Sequence, residues 1–350
     1  MFLRELMRFR QAFLSTLLLT VTVLLTVLVG EIAVRLLHRD GPLTFDEELG
    51  WKPRENYRFD GFHETADGTQ YPVHISQNEY GFRMFGNVRT KRPKIMIIGD
   101  SYTHAIQVSD DKTYYAYLKN YLDAEVFAYG GDGYGTLQEY MVLDRFFDRI
   151  KPDLVLWQYC GNDFINNSVE LEQESSINNN GLVRPYWVNG RITYLLPKKH
   201  GSSLRRLALK YSRLLYFVMS RLDKGFAYLP MNTVETQIFS EGSGHAGFAH
   251  SVQVTDDLMS KVRARVGQMP VVAFIVGGGH AVDTFRHISS RHGIQLLDDV
   301  QGAIENAEGK GIVVKSEDRA HWNETGHRIA GEVLATNLMK LCLVNDCKDT

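Results

Sequence analysis

One short stretch, Lys94–Ser101 (KIMIIGDS), most constrains how this chain can fold. Four apolar residues are followed abruptly by Gly99, Asp100 and Ser101. A short apolar run that ends in turn formers is typical of a buried parallel strand covered on both faces. In an open α/β sheet, ligands bind at the carboxyl ends of the strands. Ser101 is therefore placed where a nucleophile would act, although strand-to-serine turns also occur in proteins where the serine has no catalytic function.

Four further apolar runs follow, separated by helical patterns. We predict the remaining strands over 124–129, 153–160, 271–276 and 294–297, with helices that include 114–122 and 136–150. Alternating strands and helices over about 200 residues favour a parallel sheet with helices on both sides. The predicted fold class is α/β: a three-layer α/β/α sandwich around a mostly parallel, five-stranded sheet, with a helix at the N-terminus.

The N-terminal region has a different composition. From Gln11 to Gly30 the chain carries no charge, which suits a membrane-spanning helix, and Arg4, Arg8 and Arg10 precede it as expected for a cytoplasmic flank. A cleaved signal peptide is the alternative, but its apolar region would usually be shorter, and no small-residue cleavage site follows Gly30. We predict an uncleaved single-pass anchor in the cytoplasmic membrane of a bacterium, with the remaining chain periplasmic or extracellular.

The changes in pattern along the chain predict three regions. Residues 1–38 form the cytoplasmic flank and anchor, 39–93 a linker and a small irregular or β-rich layer, and 94–345 the main α/β domain. Within that domain, an insertion over 164–252 interrupts the alternation of strands and helices. Its place after the third strand predicts a lid or substrate-recognition element. An amphipathic helix over 204–222 that packs for stability, or contacts the membrane surface, remains an alternative.

Composition excludes some function classes. The formal net charge of −2 gives no basic surface for nucleic acid. Among the three cysteines, Cys160 lies in a strand pattern and is predicted to be a small core residue, whereas Cys342 and Cys347 could close a local disulfide or stay free. Neither their number nor their spacing resembles a zinc site. No metal or cofactor is expected.

Several histidines need to be weighed individually. His104, close to Ser101, could contact substrate, but a place at the start of a helix is favoured. His327 is predicted to face helix partners. His245, His250 and His280 lie in glycine-rich segments that could suggest a metal, but they lack a recognisable ligand spacing.

Three further motifs could supply what a nucleophilic serine needs: a base, an orienting acid and donors for an oxyanion. In Asp318-x-x-His321, the aspartate can hydrogen-bond the imidazole and leave its other nitrogen free to accept the proton of Ser101. A glycine-rich turn, GGDGYGT over 130–136, follows the second strand and offers backbone N–H groups. After the third strand comes Asn162, whose amide could donate to the same oxyanion. Each motif alone is weak, but together they contain every part of one mechanism.

In this combination the chain resembles the SGNH branch of the GDSL hydrolases, a family named for Ser, Gly, Asn and His in four ordered blocks. Gly99-Asp100-Ser101 resembles the first block, with Tyr102 where the family name has leucine. The second block is matched by AYGGDGYG, with Ala128 where the family often has asparagine; the third is matched by GND around Asn162 and the last by DRAH ending at His321. The resemblance spans 94–341 and leaves the insertion unaccounted for.

The resemblance implies a flavodoxin-like fold and ester hydrolysis or acyl transfer. It implies Ser101 as nucleophile, His321 as general base and Asp318 as orienter, with an oxyanion hole made by the N–H groups of Ser101 and Gly133 and the side chain of Asn162. The expected substrate is an acylated glycan, most plausibly O-acetylated, or another ester. An O-acetyltransferase, a lipid esterase or thioesterase, and a glycan-binding assembly factor without turnover are the alternatives. Protein partners cannot be read from the sequence.

Overall fold

The structure is a computed structural model that describes residues 2–37, 41–175, 178–197, 211–215, 217–218, 233–277 and 279–341. Its internal contacts divide the chain into two compact units. The first contains 1–41 and 198–231, and the second contains 42–197 and 232–350. Two predictions lie wholly or largely outside the described residues: the pairing of Cys342 with Cys347, and the amphipathic helix over 204–222.

The first unit is dominated by one long helix, α1, Phe2–Leu37. Its stretch Phe9–Leu36 has a mean hydropathy of 2.5, and within the described residues it is the one helix long and apolar enough to cross a membrane. Near its end, the Glu31 carboxylate accepts hydrogen bonds from Ser212 Oγ at 2.8 Å and from the Leu214 N–H at 3.0 Å. Helix α1 is thus a candidate membrane anchor or signal sequence.

The second unit is built around one six-stranded sheet. In spatial order its strands are β12, β11, β8, β6, β7 and β5. Their bounds are β5, Met84–Phe85; β6, Lys94–Gly99; β7, Glu125–Gly130; β8, Leu154–Cys160; β11, Val271–Val276; and β12, Gln295–Leu297. The five strands from β6 onward are parallel. Counted along the chain, their order is 2-1-3-4-5, the flavodoxin-like arrangement. The predicted five-stranded parallel sheet is confirmed.

One strand of the sheet was not predicted. β5 pairs with β7 in antiparallel orientation through Met84↔Ala128 and Phe85↔Phe127. A two-residue strand is too short to show a hydrophobic period, so the sequence pattern does not reveal it. The predicted domain boundary at residue 94 separates β5 from the sheet that it joins. The predicted region and insertion boundaries otherwise remain predictions.

Helices cover both faces of the sheet. Their bounds are α2, Ser101–His104; α3, Tyr114–Tyr121; α4, Thr136–Ile150; α5, Asp163–Asn166; α6, Val169–Glu174; α7, Val234–Glu241; α8, Ala246–Val266; α9, His280–Arg291; α10, Asp299–Gly309; and α11, Glu324–Lys340.

Successive side chains of β6 point to opposite faces of the sheet and contribute to two separate cores. Met96 and Ile98 face one core, beneath α4, α8 and α9, whereas Ile95 and Ile97 face the other, beneath α3, α10 and α11. All four side chains are almost completely buried. A central strand buried on both faces must be apolar throughout, which is why β6 reads as a continuous apolar run. The three-layer α/β/α prediction is confirmed.

Three antiparallel hairpins complete the second unit. Their strands are β1, Leu43–Asp46; β2, Gly50–Pro53; β3, Arg58–Glu64; β4, Gln70–Ser76; β9, Arg184–Val188; and β10, Arg191–Leu195. The first two hairpins, β1–β2 and β3–β4, fall in the predicted β-rich layer, and β9–β10 falls in the predicted insertion.

Buried polar contacts hold the described part of the insertion together and join it to helix α4. Arg184 of β9 lies 3.2 Å from the Glu172 carboxylate of α6, and it also hydrogen-bonds Gln138 of α4. Tyr186 donates a second hydrogen bond, of 2.8 Å, to Glu172. The predicted insertion end at residue 252 falls within α8, which packs on α4.

Candidate active site

The turn that carries Ser101 joins β6 to α2. The chain turns at Asp100, whose side chain accepts a 2.9 Å hydrogen bond from the Tyr102 N–H and caps the helix that begins at Ser101. A Cβ on Gly99 would lie 2.3 Å from Oε1 of Gln158, so the close approach of β6 and β8 requires glycine at this turn. Since α2 is a single turn, the half-buried Ser101 stays at the carboxyl end of the central strand.

The loop before α11 carries Asp318 and His321. One oxygen of Asp318 accepts the N–H groups of Ala320 and His321, both at 2.9 Å. Its other oxygen lies 2.6 Å from Nδ1 of His321, and Nε2 of that imidazole lies 2.7 Å from Oγ of Ser101. The structure therefore joins Ser101, His321 and Asp318 in one hydrogen-bonded chain, although the serine and histidine are 220 positions apart.

The chemistry of the donors fixes the direction of these bonds. A carboxylate can only accept, so Nδ1 of His321 carries the hydrogen that is donated to Asp318. In the neutral ring, Nε2 is then the acceptor and takes the Ser101 O–H. This tautomer is the one that a general base for Ser101 requires.

Electrostatics keep the pair in these states. Burial by itself lowers the pKa of His321, but the hydrogen bond and negative charge of Asp318 outweigh it, and the pKa rises above 6.5. Burial by itself raises the pKa of Asp318, but the hydrogen bonds and charge of His321, together with two backbone N–H groups, bring that pKa far below its ordinary value of 3.8. Asp318 is consequently a carboxylate at neutral pH and stabilises a protonated His321.

Tyr102 is a positioning residue whose role we did not predict from the sequence. Its hydroxyl donates a 2.9 Å hydrogen bond to the Ala320 carbonyl, and its ring lies 5.0 Å from the rings of His321 and of Trp322. The side chain next to Ser101 thus holds the loop that carries His321. The signal in the sequence was a tyrosine at a position where the family name has leucine.

Gly133 lies in the loop after β7, the strand next to β6. The Gly131 N–H donates to the Gly99 carbonyl at 3.3 Å, so this loop starts beside the turn that carries Ser101. Gly133 has a φ of +68°, a left-handed conformation that favours glycine, and a Cβ there would lie 2.1 Å from Nδ2 of Asn180. The chain therefore needs glycine at this position for backbone shape and for space.

Asp132, the residue before Gly133, is held from two directions. Its carbonyl accepts a 2.8 Å hydrogen bond from the Trp51 indole, and its carboxylate lies 2.6 Å from Nδ1 of His104. Nε2 of His104 in turn lies 2.6 Å from the Gln77 amide nitrogen, which donates to it. His104 is fully buried at the end of α2 rather than at a helix start, because the helix stops after one turn at Ala105 with a φ of +52°. His104 therefore orients the Gly133 loop.

Asn162 follows β8, the other neighbour of β6. Its carbonyl accepts the N–H groups of Ile165 at 2.9 Å and Asn166 at 3.0 Å, which fixes the backbone. Among the described residues, its buried side-chain oxygen has no hydrogen-bond partner. Asp163 accepts the Cys160 N–H at 2.9 Å and closes the turn; burial, with the charges of Glu139 and Asp100, raises its pKa well above 3.8. Asp163 is thus a structural residue, and Asn162 presents a side chain not used by the fold.

A pocket of about 170 Å³ opens beside Asn162. Its wall includes Ile165 from the turn after β8, residues of α7 and α8, and His280 at the start of α9. The helices α7 and α8 belong wholly or partly to the predicted insertion. The insertion thus contributes side chains to a pocket that Asn162 also lines.

His327, His245 and Cys160 have structural contacts. His327 is buried, accepts the Tyr114 N–H at 3.2 Å and stacks on that ring, and burial lowers its pKa to about 3. This confirms its predicted contact with a helix partner. His245 caps α8. Cys160 is half-buried and packs against the core, as predicted. In the described part of the chain, no group of three or more His, Cys, Asp or Glu residues is placed to hold a metal ion.

Comparison with known proteins found similarity in structure only. No protein-family model matches the chain, and no curated protein sequence matches it. The chain is similar to the lipase/acylhydrolase from Enterococcus faecalis, with 13% identity, a TM-score of 0.40, and coverage of 71% of this chain and 96% of that one. It is also similar to the family 3 carbohydrate esterase of Clostridium thermocellum, with 11% identity, a TM-score of 0.40, and coverage of 72% and 97%.

A third similar structure is a member of the lipolytic protein G-D-S-L family from Veillonella parvula. Its identity is 11% and its TM-score 0.38, over 71% of this chain and 98% of that one. Identities and TM-scores at this level carry no argument about function, so function must be inferred from the arrangement of the residues themselves.

Proposed function

We propose that this chain is a serine esterase of the SGNH type that hydrolyses acyl esters through a covalent acyl-enzyme. The observation that carries the proposal is the hydrogen-bonded chain from Ser101 through His321 to Asp318, with distances of 2.7 and 2.6 Å. A serine hydroxyl is a weak nucleophile unless a neighbouring base accepts its proton, and this arrangement supplies both the base and its orienting acid.

In the first half-reaction, Oγ of Ser101 attacks the ester carbonyl carbon while Nε2 of His321 accepts the hydroxyl proton. Negative charge develops on the former carbonyl oxygen, and the N–H groups of Ser101 and Gly133 and the amide of Asn162 would donate to it. Collapse of this intermediate breaks the ester C–O bond. His321 gives its proton to the departing alcohol, and the acyl group stays on Ser101.

In the second half-reaction, a water molecule gives a proton to His321 and attacks the acyl-enzyme. The second tetrahedral intermediate collapses, the carboxylic acid leaves, and Ser101 regains its proton from His321. If a sugar hydroxyl takes the place of water, the product is a new ester and the enzyme is an acyltransferase. The same residues serve both reactions, so the acceptor that reaches the acyl-enzyme decides between them.

For the substrate, we propose an acyl ester, most plausibly O-acetyl, on a glycan of the cell envelope. The apolar helix α1 supports a place at a membrane, and the motif resemblance supports ester chemistry. We further propose that the second unit lies on the periplasmic or extracellular side.

The test uses the full chain in detergent and its Ser101→Ala variant, with Ser260→Ala, an exposed serine of α8, as matched control. We expect fluorophosphonate labelling and p-nitrophenol release from p-nitrophenyl acetate in the wild type and in the control, and loss of both in Ser101→Ala. An added oligosaccharide that becomes acetylated would identify a transferase. A folded wild type that neither labels nor turns over would contradict the proposal and favour a glycan-binding protein without turnover.

A further inference from the structure

The pocket beside Asn162 has a chemical character of its own. With about 170 Å³, it is well below the roughly 300–1,000 Å³ of sites that enclose drug-sized ligands. Asn162 lines it, so a group bound there would lie next to the acyl carbonyl at which Asn162 is proposed to donate. A pocket of this size and place suits one small unit of the substrate rather than an extended chain.

One side of the pocket is apolar and rigid. Phe164 and Phe248 are almost completely buried, and their rings meet edge to face with centroids 5.1 Å apart. Ile238 of α7 and Ala281 of α9 extend this surface. Aromatic and aliphatic side chains of this kind pack against the C–H groups of a ring.

The pocket lining also offers hydrogen-bond acceptors that lack donors. One oxygen of Glu235 accepts from Nδ2 of Asn178 at 2.9 Å and from the Ser175 hydroxyl. Its other oxygen is buried and, among the described residues, has no partner; the same holds for the side-chain oxygen of Asn162. Leaving a buried acceptor unpaired destabilises the protein, so a ligand that brings O–H donors to these oxygens would relieve an existing penalty.

From these observations we infer that this pocket binds a single neutral pyranose ring, the alcohol part of the ester, and that Glu235 recognises its hydroxyl groups. The inference rests on the proposed esterase function and names its substrate class. The ring packs its C–H face on the half-buried Ile238 and Ala281, which pack in turn against the core that contains Phe164 and Phe248, while hydroxyl groups donate to Glu235. Because Glu235 contributes a negative charge, the pocket disfavours a uronic acid in the same position.

The test compares two kinds of substrate on the detergent-solubilised full chain. The monoacetates of methyl β-D-glucopyranoside and methyl β-D-galactopyranoside require the pocket, whereas vinyl acetate, whose two-carbon alcohol part is too small to fill the pocket, reports on the triad and oxyanion hole. We expect Glu235→Ala to raise KM for at least one sugar acetate tenfold or more while kcat/KM for vinyl acetate stays within twofold. Glu241→Gln, an exposed glutamate at the end of α7, is the matched control and is expected to behave as wild type.

Two further variants keep the inference testable if Glu235→Ala fails to fold. Ile238→Trp fills the pocket and is expected to raise KM for the same sugar acetates without affecting vinyl acetate. Glu235→Gln removes the charge and is expected to reduce, by tenfold or more, the preference for the glucoside acetates over the corresponding glucuronide acetates.

Three outcomes would overturn the inference. Sugar-acetate kinetics unchanged in both Glu235→Ala and Ile238→Trp would show that the pocket does not hold the sugar. Preferential hydrolysis of p-nitrophenyl octanoate, lost in Ile238→Trp, would identify it as an acyl-chain pocket. A wild type inactive on p-nitrophenyl acetate would instead refute the proposed function, and this inference with it.

Discussion

Asn162 combines a fixed backbone with a side chain that the fold does not use. Its carbonyl caps the turn after β8, and its amide oxygen has no partner among the described residues. We therefore expect Asn162→Ala to lower kcat on p-nitrophenyl acetate by about 10²–10³-fold, the usual effect of losing one oxyanion donor. Its thermal unfolding temperature is expected to stay close to that of the wild type.

Asn162→Asp is the matched variant, since it keeps the shape but replaces the N–H donor by an acceptor. We expect it to be at least as impaired as Asn162→Ala. Wild-type kcat in either variant would remove Asn162 from the oxyanion hole.

The raised pKa of His321 determines how activity depends on pH. The imidazole must be neutral to accept the Ser101 proton, so activity is low below this pKa and rises as pH increases through it. We expect the acidic limb of kcat/KM in the wild type to have its midpoint above pH 6.5. In Asp318→Asn the opposing effect of burial remains, so the midpoint should move to lower pH.

The rate of fluorophosphonate labelling against pH can follow this shift in a variant of low turnover, since the corresponding change in another triad lowers kcat on the order of 10⁴-fold. Glu317→Gln serves as control because it removes a neighbouring charge with no hydrogen bond to His321. An acidic limb that stays in place in Asp318→Asn would mean that another group controls it.

For individual residues, the spacing of motifs in the sequence predicted part of the site. The rest depends on contacts between residues that are far apart in the chain. Asp318 and His321 are three positions apart, so a sequence pattern can pair them. By contrast, the Tyr102–Ala320 bond and the His104–Asp132 pair join residues that are 218 and 28 positions apart. No local pattern marks such partners. The same is true of Glu235. The sequence shows only a residue in a helical segment, and its place in the pocket depends on how α7 packs.

The crossing of α2 over β7 depends on a glycine. A Cβ on Gly130 would lie 2.2 Å from the His104 nitrogen and 2.5 Å from the Asp100 carbonyl oxygen, both backbone atoms that cannot rotate away. We expect Gly130→Ala to lower the free energy of unfolding by about 1–3 kcal/mol or more, as overpacking does. It should also reduce activity, because α2 begins at Ser101.

Gly302 in α10 provides the matched control. Nothing lies within 4 Å of a Cβ there, and alanine is favoured over glycine in a helix by about 1 kcal/mol. Gly302→Ala should therefore be neutral or stabilising in urea unfolding. Equal unfolding midpoints for the two variants would contradict the close approach at Gly130.

Helices and strands whose apolar residues recur with one regular period could be predicted from the sequence, whereas the elements of the insertion could not. The predicted helix 136–150 and strand 271–276 coincide with α4 and β11. In β9 and α6, however, the polar residues Arg184 and Glu172 are buried against each other. Charged residues that are buried as pairs from different segments interrupt the apolar pattern on which such predictions depend. The hairpin β9–β10 was therefore missed.

At the scale of the whole chain, α1 is either an uncleaved membrane anchor or a signal sequence that is removed. A charge at the centre of a spanning helix costs about 2.5–3.5 kcal/mol on insertion scales. We expect the full chain to remain in the membrane fraction after alkaline carbonate extraction, with Leu18→Arg combined with Leu24→Arg greatly reducing it.

Mass spectrometry of the mature chain completes this test. Recovery of peptides from residues 1–30 would agree with an uncleaved anchor. A mature protein that begins after Gly30 would show that α1 is a signal sequence.

The separation of 220 positions between Ser101 and His321 also has a consequence for biosynthesis. At about 5–20 residues per second, roughly 10–45 s pass between translation of the serine and of the histidine. During that interval the nascent chain carries Ser101 without His321, so in the proposed mechanism the serine hydroxyl is not activated. We therefore expect reactivity toward esters only after the loop that carries His321 has docked.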